Sequence, residues 1–332
     1  MPERVYFRPL PEPVPVAGRW RLAGGWVGFS RLERLARGAA PEIVDDAPPE
    51  VIAALTRPRP PVLGLAMDRP RLMGIVNVTP DSFSDGGRWT GDDGVGRARA
   101  LAAAGAEILD IGGESTRPGA AEVPAAEETA RVLPAIAALA GVAALSVDTR
   151  KAAVARAAVA AGAGMVNDVS GLDFDPGMAA AVAETGAALC LMHAQGLPET
   201  MQDDPRYGDV LLDVYDALAA RIARAEAAGV PRARIVVDPG IGFGKTTAHN
   251  LALLRRIGLF HGLGVPVLLG VSRKRFIGQI GGGAEAPARD PGTLALTLAA
   301  VAQGIQIHRI HDVAPVRQGL SLWQALEEGP ET

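Results

Sequence analysis

From residue 71 onward, the chain alternates short apolar runs with longer stretches rich in Ala and Leu. The apolar runs occur at 72–77, 107–111, 143–147, 164–167, 187–192, 234–237, 265–270 and 305–310. Apolar runs of this length are typical of strands that are buried on both faces of a sheet. The stretches between them, such as KAAVARAAVAAGA, have the composition of helices. The pattern therefore predicts eight successive βα units.

Eight βα units over about 260 residues match the size of a TIM (β/α)8 barrel. This is the predicted fold class, with a doubly wound open sheet as the alternative. The alternative stays open at this point because the number of strands does not establish that a sheet closes into a barrel.

Residues 1–66 differ from the rest of the chain. Proline is concentrated there, and the apolar residues follow a period of neither 2 nor 3.6. The piece GRWRLAGGWVGFS suits a hairpin, and RLERLARG suits a helical turn. We therefore predict an N-terminal extension of unknown role over residues 1–66 and a barrel domain over residues 67–332.

Composition and charge exclude several classes of protein. The chain is 48% hydrophobic and 21% charged, with a net charge of −4, which argues against a general nucleic-acid binder. The single cysteine, Cys190, excludes an intrachain disulfide and lies in the apolar run AALCLM. The N-terminus has no apolar h-region, and no run of about 18 uncharged apolar residues occurs. We therefore expect a cytoplasmic protein with no membrane partner.

The segment DPGIGFGKTT at 238–247 looks like a nucleotide-binding loop, but its spacing is wrong. A P-loop would need a glycine at position 239, where the chain has Pro239, a residue with no N–H to donate. We therefore expect Asp238 to serve in recognition at a strand end and Lys245 to have no phosphate role.

Polar residues follow each predicted strand. In order along the chain they are Asn77; Thr116 and Arg117; Asp148; Asn167 and Asp168; His193; Asp238; Ser272 and Lys274; and Arg309 and His311. The carboxyl ends of barrel strands converge on one face, so these side chains are expected to line one pocket. A simpler role exists for any one of them, since Asp148 before Thr-Arg-Lys could be a helix N-cap.

Carboxylates and amides in one pocket suit a flat heterocycle with adjacent N–H and NH2 donors, because a carboxylate accepts two parallel hydrogen bonds. An Arg plane can stack on such a ring. Asn77, Thr116, Arg309 and His311 could hold an anionic tail. Mg²⁺ could be bound mainly by substrate phosphates together with one protein oxygen.

Eight segments of the chain, taken together, resemble the signature blocks of the dihydropteroate synthases. They are NVTPDSFSDGG, DIGGESTRPGA, SVDT, VNDVSG, LMHAQGLPETMQ, DPGIGFGK, GVSRKRFIG and RIHDV, in that family's order, over about residues 72–313. The resemblance implies a TIM-barrel transferase of folate synthesis. Such an enzyme joins 6-hydroxymethyl-7,8-dihydropterin pyrophosphate to p-aminobenzoate and releases pyrophosphate.

The resemblance also implies site residues. The pterin pocket would use Asp148, Asn167, Asp238, Lys274 and Arg309. The pyrophosphate region would use Asn77, Thr116, Arg309 and His311, and Asn77 would also bind Mg²⁺. The p-aminobenzoate site would use Phe83, Arg117, Pro118, Phe243, Ser272 and Lys274. Catalysis would fall to Asp148, Lys274, Arg309 and His311. Two loops, at about 79–92 and 114–124, would close over the site. A homodimer and sensitivity to sulfonamides are further implications.

Several other residues are weaker candidates for the site or are expected to lie outside it. His193 is expected to be structural, and His249, His261 and His308 are expected to be surface or helix residues. Asp85 is a weaker site candidate.

Two alternative functions stay open: a pterin-binding methyltransferase barrel acting on a folate methyl group, and a non-catalytic paralogue. A methyltransferase would not need the segments STRPG, SRK and RIHDV, which the resemblance assigns to p-aminobenzoate and pyrophosphate. A non-catalytic paralogue would be expected to carry damaged motifs.

Overall fold

The computed structural model describes residues 4–12, 19–78, 91–115, 122–196, 201 and 203–328, with the side chains of 91–93 and 327–328 excepted. The strands are β1 Val5–Glu12, β2 Trp20–Arg21, β3 Gly28–Ala36, β4 Glu42–Val44, β5 Arg71–Asn77, β6 Ile108–Gly112, β7 Ala144–Asp148, β8 Met165–Asp168, β9 Ala188–Met192, β10 Ile235–Asp238, β11 Leu268–Leu269 and β12 Ile307–Ile310. The α-helices are α1 Pro49–Thr56, α2 Gly91–Ala103, α3 Ala125–Ala138, α4 Ala152–Ala160, α5 Met178–Thr185, α6 Val210–Ala227, α7 Thr247–Arg255, α8 Arg275–Gly281, α9 Asp290–Val301 and α10 Val313–Glu328.

Strands β5 to β12 form one parallel sheet in the order β10-β9-β8-β7-β6-β5-β12-β11. A parallel bridge between Val237 and Val267 joins its two ends, so the sheet closes into a barrel. This confirms the predicted TIM barrel and excludes the open sheet. Each of the eight predicted apolar runs overlaps a barrel strand.

Successive residues of the barrel strands point alternately outward and inward. Leu109 and Val237, for example, pack outward in the large core that includes the helices. Met73, Ile108 and Ile307 belong to a separate cluster, which fills the lower interior of the barrel. Because the side-chain period of a strand is 2, the next inward position on each strand lies one layer closer to the mouth. On β6, β8, β10 and β12 those positions carry Asp110, Asn167, Asp238 and Arg309.

Strands β1 to β4 form a separate antiparallel sheet in the N-terminal segment. The predicted hairpin is confirmed, because Trp20 pairs with Phe29 and Arg21 with Gly28. The predicted helical turn in RLERLARG is wrong, since residues 31–36 lie within β3. They pair with β1 from Val5↔Ala36 to Leu10↔Arg31, and this long-range pairing overrides the local preference.

The N-terminal sheet has its own small core and is also fixed to the barrel. Leu22, Phe29 and Leu55 belong to the small core. Buried Glu33 accepts hydrogen bonds from Arg256, at the end of α7, with distances of 3.0–3.2 Å. Farther along, Val62 and Met67 pack into the lower barrel interior. The segment before β5 therefore closes the bottom of the barrel, opposite the mouth.

Candidate active site

A cluster of charged and amide side chains lies inside the barrel near the carboxyl ends of β6, β7, β8 and β12. Arg309 donates from Nε to Asp110 Oδ2 at 2.6 Å and from Nη2 to Asp148 Oδ2 at 2.7 Å. Asn167 Nδ2 also donates to Asp110 Oδ2, at 3.0 Å. Asp110, Asp148 and Asn167 are all buried. Three of the predicted site residues therefore meet here, together with Asp110, which the sequence reasoning missed.

Asp110 was missed because the prediction for the second strand used only the residues after it, Thr116 and Arg117, although Arg309 was predicted from inside the eighth run. It lies within the predicted run EILDI, two residues after the inward-facing Ile108. A carboxylate inside a strand that is otherwise apolar is the signal that could have identified it, because buried charges need partners.

Asp238 ends β10, and the loop that follows is folded back around it. Gly240 N donates to Asp238 Oδ1 at 2.7 Å. Gly240 has φ of 67°, and a Cβ at this position would lie 1.9 Å from the His193 carbonyl oxygen. Only glycine fits there. The loop thus brings a backbone N–H group against the carboxylate.

Lys245 is buried within the same loop. Its Nζ lies 2.9 Å from His193 Nδ1, 2.9 Å from Gly240 O and 3.0 Å from Phe243 O. An ammonium group has three N–H donors, so protein acceptors suffice to occupy all of them. Burial and the Lys245 charge lower the pKa of His193 to about 2, so its ring is neutral and accepts from Lys245. Lys245 therefore supports the loop from inside.

Ser272, Lys274 and His311 lie on the loops after β11 and β12. His311 N donates to Ser272 Oγ at 3.1 Å, and His311 Nδ1 lies 3.0 Å from the same oxygen. The Lys274 ammonium lies 4.0 Å from the centre of the Phe243 ring, a cation–π contact that joins the loops after β10 and β11.

Arg273, between Ser272 and Lys274, has a left-handed backbone with φ of 57°. Its guanidinium donates to both carboxylate oxygens of Asp290, at 2.8 and 2.7 Å. A non-glycine residue in this conformation is costly unless its surroundings fix it. The Asp290 pair therefore holds the turn that carries the two neighbouring site residues.

Burial shifts the pKa values of the charged groups in the site. Burial raises the pKa of Asp148 to about 7, although Arg309 acts to lower it. Burial also raises the pKa of Asp238 to about 6, against the Gly240 hydrogen bond and the Lys274 charge. Burial acts to lower the pKa of Arg309, but the carboxylates of Asp110 and Asp148 outweigh this effect and raise it. Arg309 therefore stays cationic between two carboxyl groups.

A buried ion network lies at the base of the second predicted loop. Glu114 accepts from Lys151 Nζ at 2.9 Å, from Arg150 Nε at 3.1 Å and from Val123 N at 2.8 Å. It therefore ties both ends of the segment 115–122 to the start of α4. The N-cap position of α4 is Lys151, so the N-cap alternative for Asp148 is wrong.

The remaining predicted site residues lie at the barrel mouth, away from the cluster, or outside the described part of the chain. Asn77 ends β5 with an exposed side chain, opposite Gly112 of β6, which in turn pairs with Asp148. Asp168 turns away from the cluster and accepts from Ser170 and Leu172 N. Phe83, Asp85, Thr116, Arg117 and Pro118 lie outside the described residues, as do most of the two predicted loops.

The expectation of a surface or helix position is wrong for His308, whereas His261 lies in the 3-10 helix Ile257–Leu263 but is not at the surface. His261 and His308 are buried, at 0% and 1% exposure, and His308 lies on β12. Burial lowers the pKa of His308 to about 4, and its Nε2 lies 2.9 Å from Ile305 O, so a neutral ring is paired inside the protein. His249 is a half-buried helix residue that completes the capping box of α7.

Two features are absent from the described part of the chain. Its helices include none that is both long and apolar enough to cross a membrane. Its His, Cys, Asp and Glu side chains form no group of three or more suited to holding a metal ion.

The mouth of this parallel barrel brings together carboxylates, an amide, a lysine and a guanidinium. Such an arrangement is typical of a barrel enzyme that acts on a small, polar, donor-rich ligand. The family model for "Pterin binding enzyme" matches residues 73–311. Dihydropteroate synthase of Escherichia coli K12 is 46% identical over 266 residues, which cover 79% of this chain and 93% of that protein. The enzyme of Neisseria meningitidis serogroup C is 45% identical over 267 residues, with 79% and 94% covered.

Solved structures give the same result. Xanthomonas albilineans dihydropteroate synthase with 4-aminobenzoic acid matches with a TM-score of 0.77 and 49% identity, covering 82% of this chain and 99% of that chain. The same enzyme with 7,8-dihydropteroate matches with a TM-score of 0.74 and 46% identity, covering 82% and 100%. The chain belongs to the dihydropteroate synthase family of pterin-binding enzymes. The relatives support this function over the methyltransferase alternative.

Proposed function

We propose that this chain condenses 6-hydroxymethyl-7,8-dihydropterin pyrophosphate with p-aminobenzoate, giving 7,8-dihydropteroate and pyrophosphate. The observation that carries the proposal is the buried cluster at the barrel mouth, where Arg309 is held between Asp110 and Asp148 and beside Asn167. The chain belongs to a family whose solved structures include complexes with 4-aminobenzoic acid and with 7,8-dihydropteroate.

Asp148, Asn167 and Asp238 are proposed to bind the polar edge of the pterin. Their oxygens can accept hydrogen bonds from the ring N–H groups and the exocyclic NH2 group. Cβ atoms at Gly112 and Gly270 would lie 3.7 and 3.6 Å from the Asp148 and Asp238 carboxylates, so the absence of side chains there leaves room beside both groups. Lys274 would donate to the ring carbonyl, and the Arg309 plane would lie against the ring.

Catalysis would depend on positioning and electrostatics. As pyrophosphate leaves the pterin methylene, positive charge develops on the ring, and the Asp148 and Asp238 carboxylates would stabilise it. Arg309, His311, Asn77 and Thr116 would hold the departing pyrophosphate. The attacking arylamine is already neutral at pH 7, so no general base is required.

The p-aminobenzoate would bind between the loops after β10 and β11. Phe243 offers an aromatic wall beside Lys274, and Ser272, which contacts His311, offers a hydroxyl. Phe83, Arg117 and Pro118 are proposed to complete this site from segments outside the described residues.

Mg²⁺ is proposed to bind with the pyrophosphate, held by the Asn77 oxygen and by substrate phosphate oxygens. The donor set fits, because Mg²⁺ commonly uses few protein oxygens together with substrate phosphates. Asn77 lies at the exposed end of β5, where such oxygens can reach it. When bound, the ion would neutralise charge on the leaving group.

A homodimer in the cytoplasm is proposed as the working state. Large exposed apolar side chains support the dimer: Ile280 on α8 is 61% exposed, and Leu322 and Leu326 on α10 are 65% and 83% exposed. Both helices pack against α9. Exposed apolar surface of this kind marks contact sites between proteins.

The test is pyrophosphate release from the purified chain supplied with the pterin pyrophosphate, p-aminobenzoate and Mg²⁺. We expect dihydropteroate to form only when the arylamine is present, and sulfonamides to compete with it. Asp238→Ala and Lys274→Ala are each expected to lower kcat/KM by about a hundredfold or more, since each removes a charged contact to the reacting ring. Full turnover in both variants would contradict the residue assignment, and no turnover in the unaltered chain would contradict the function.

A further inference from the structure

We propose that Asp110 is a positioning residue for the pterin site, and that it orients Asn167 and Arg309 from below without touching the substrate. The inference rests on the proposed function, because it concerns how the same pocket is kept in shape. Asp110 lies two residues before Gly112 of β6, in the middle layer of the barrel interior, and is 0% exposed.

The first effect of Asp110 is on the Asn167 amide. An ionised carboxylate can only accept hydrogen bonds, so the Asn167 atom that lies 3.0 Å from Asp110 Oδ2 must be the Nδ2 donor. Rotation of the amide by 180° would place its oxygen against the carboxylate. Asp110 therefore fixes which side of the amide carries Oδ1, and the acceptor for a pterin N–H lies on the side away from Asp110.

The second effect is on the Arg309 plane. The guanidinium is held at two points, with Nε on Asp110 and Nη2 on Asp148. Two charge-assisted contacts to one planar group fix its tilt as well as its position. Without Asp110, the group would be held by Asp148 alone and could turn out of the plane needed to stack on the ring.

The same Asp110 oxygen, Oδ2, accepts both hydrogen bonds. The two recognition residues therefore share one anchor, and a change at Asp110 should disturb both of them. Among the described residues, no hydrogen-bond partner lies near Asp110 Oδ1. A buried carboxylate left half-satisfied is costly, which is consistent with a functional reason for placing it there.

The experiment compares Asp110→Asn with Ser146→Ala. Ser146 is the cross-strand neighbour of Asp110 on β7, is equally buried, and its hydroxyl has no partner among the described residues, so it is a matched control. D110N keeps the size of the side chain and removes its charge. We expect D110N to raise the Kd for 6-hydroxymethylpterin about tenfold, because Asn167 and Arg309 lose the charged anchor that orients them toward the ring.

The KM for p-aminobenzoate should stay within about twofold in D110N, because that substrate binds between other loops. S146A should leave both constants unchanged. Equal Kd values for D110N and S146A would overturn the proposal. A purely structural role would raise the KM for both substrates together, and that result would overturn it as well.

An NMR measurement on the unaltered protein covers the case in which D110N does not fold. Asn77, Asn167 and Asn250 are the asparagines of the chain, so selective ¹⁵N labelling isolates their side-chain amides. We expect one Asn167 side-chain N–H to exchange slowly with solvent. Fast exchange of both Asn167 protons would overturn the proposal without any variant. If the unaltered chain does not bind 6-hydroxymethylpterin, the proposed function fails; if it binds and D110N binds equally well, only the role of Asp110 fails.

Discussion

The carboxyl groups of Asp148 and Asp238 give the pocket a dependence on pH. Their pKa values are raised to about 7 and about 6, chiefly by burial. For an acid, a raised pKa means that the group keeps its proton to a higher pH than in water. Above pH 7 both groups are ionised and can accept hydrogen bonds from the pterin edge, and as the pH falls through these values each becomes protonated in turn.

We therefore expect the affinity for 6-hydroxymethylpterin to fall by about tenfold or more between pH 8 and pH 5, because protonated carboxyls lose acceptors that the ring N–H groups need. Isothermal titration across this range measures the change. In Asp238→Asn the component near pH 6 should disappear while the component near pH 7 remains. An affinity that stays constant from pH 8 to pH 5 would contradict the assignment of both carboxylates.

The sequence located part of the site from polar side chains near the apolar runs. Asp148 follows a run, Asn167 ends one and Arg309 lies inside the run 305–310; all three were predicted, and the structure brings them together. Asp110 lies inside a run and was missed, although strand periodicity places it on the same inward face as Ile108. The contact between Asp110 and Arg309 joins residues 199 positions apart, and no local pattern encodes such a pair.

Among the elements, the loop between β10 and α7 shows how a strand end becomes a binding wall. Its glycines carry positive φ angles, and Lys245 fills the space beneath them. The ammonium group binds the carbonyls of Gly240 and Phe243 on one side and His193 on the other. Since Phe243 faces Lys274, the position of this wall depends on a lysine that does not reach the pocket.

Lys245→Met should lower the free energy of unfolding by about 3 kcal/mol, because it leaves several buried acceptors without a donor. The KM for p-aminobenzoate should also rise, as Phe243 loses its support. Urea denaturation and steady-state kinetics measure the two effects. The matched control is Arg255→Met in α7, which removes an exposed positive charge and introduces the same side chain. It should change the stability by less than about 1 kcal/mol. Equal stability of the two variants would contradict the supporting role.

The elements of the barrel were predicted more fully than those of the N-terminal segment. Apolar runs between helical stretches are a strong local signal for parallel strands, and all eight were found in the predicted places. Residues 31–36 gave a helical signal but form a strand, because pairing with β1 outweighs local preference there. The core of this small sheet joins Phe29 and Leu55, whose contact depends on how the chain folds back.

For the whole molecule, the fold has two ends with different roles. Val62 and Met67 close the lower end of the barrel with apolar side chains. The upper end gathers the charged cluster, and the N-terminal sheet is attached elsewhere, through contacts such as Tyr6 Oη with Asp216 at 2.8 Å. The number and spacing of the strands predicted a barrel but left the open sheet as an alternative, which the bridge between Val237 and Val267 excludes. The attachment of the N-terminal sheet could not be predicted, because it depends on ion pairs between distant residues.

The central claim is that Asp148, Asn167 and Asp238 line one basin that binds the edge of a pterin. A crystal structure of the protein with 6-hydroxymethylpterin and p-aminobenzoate tests it most directly. We expect the ring nitrogens within about 3 Å of acceptor oxygens on all three side chains, with the Arg309 plane against the ring. A pterin bound at another surface, or one in this basin that contacts none of the three, would contradict the claim.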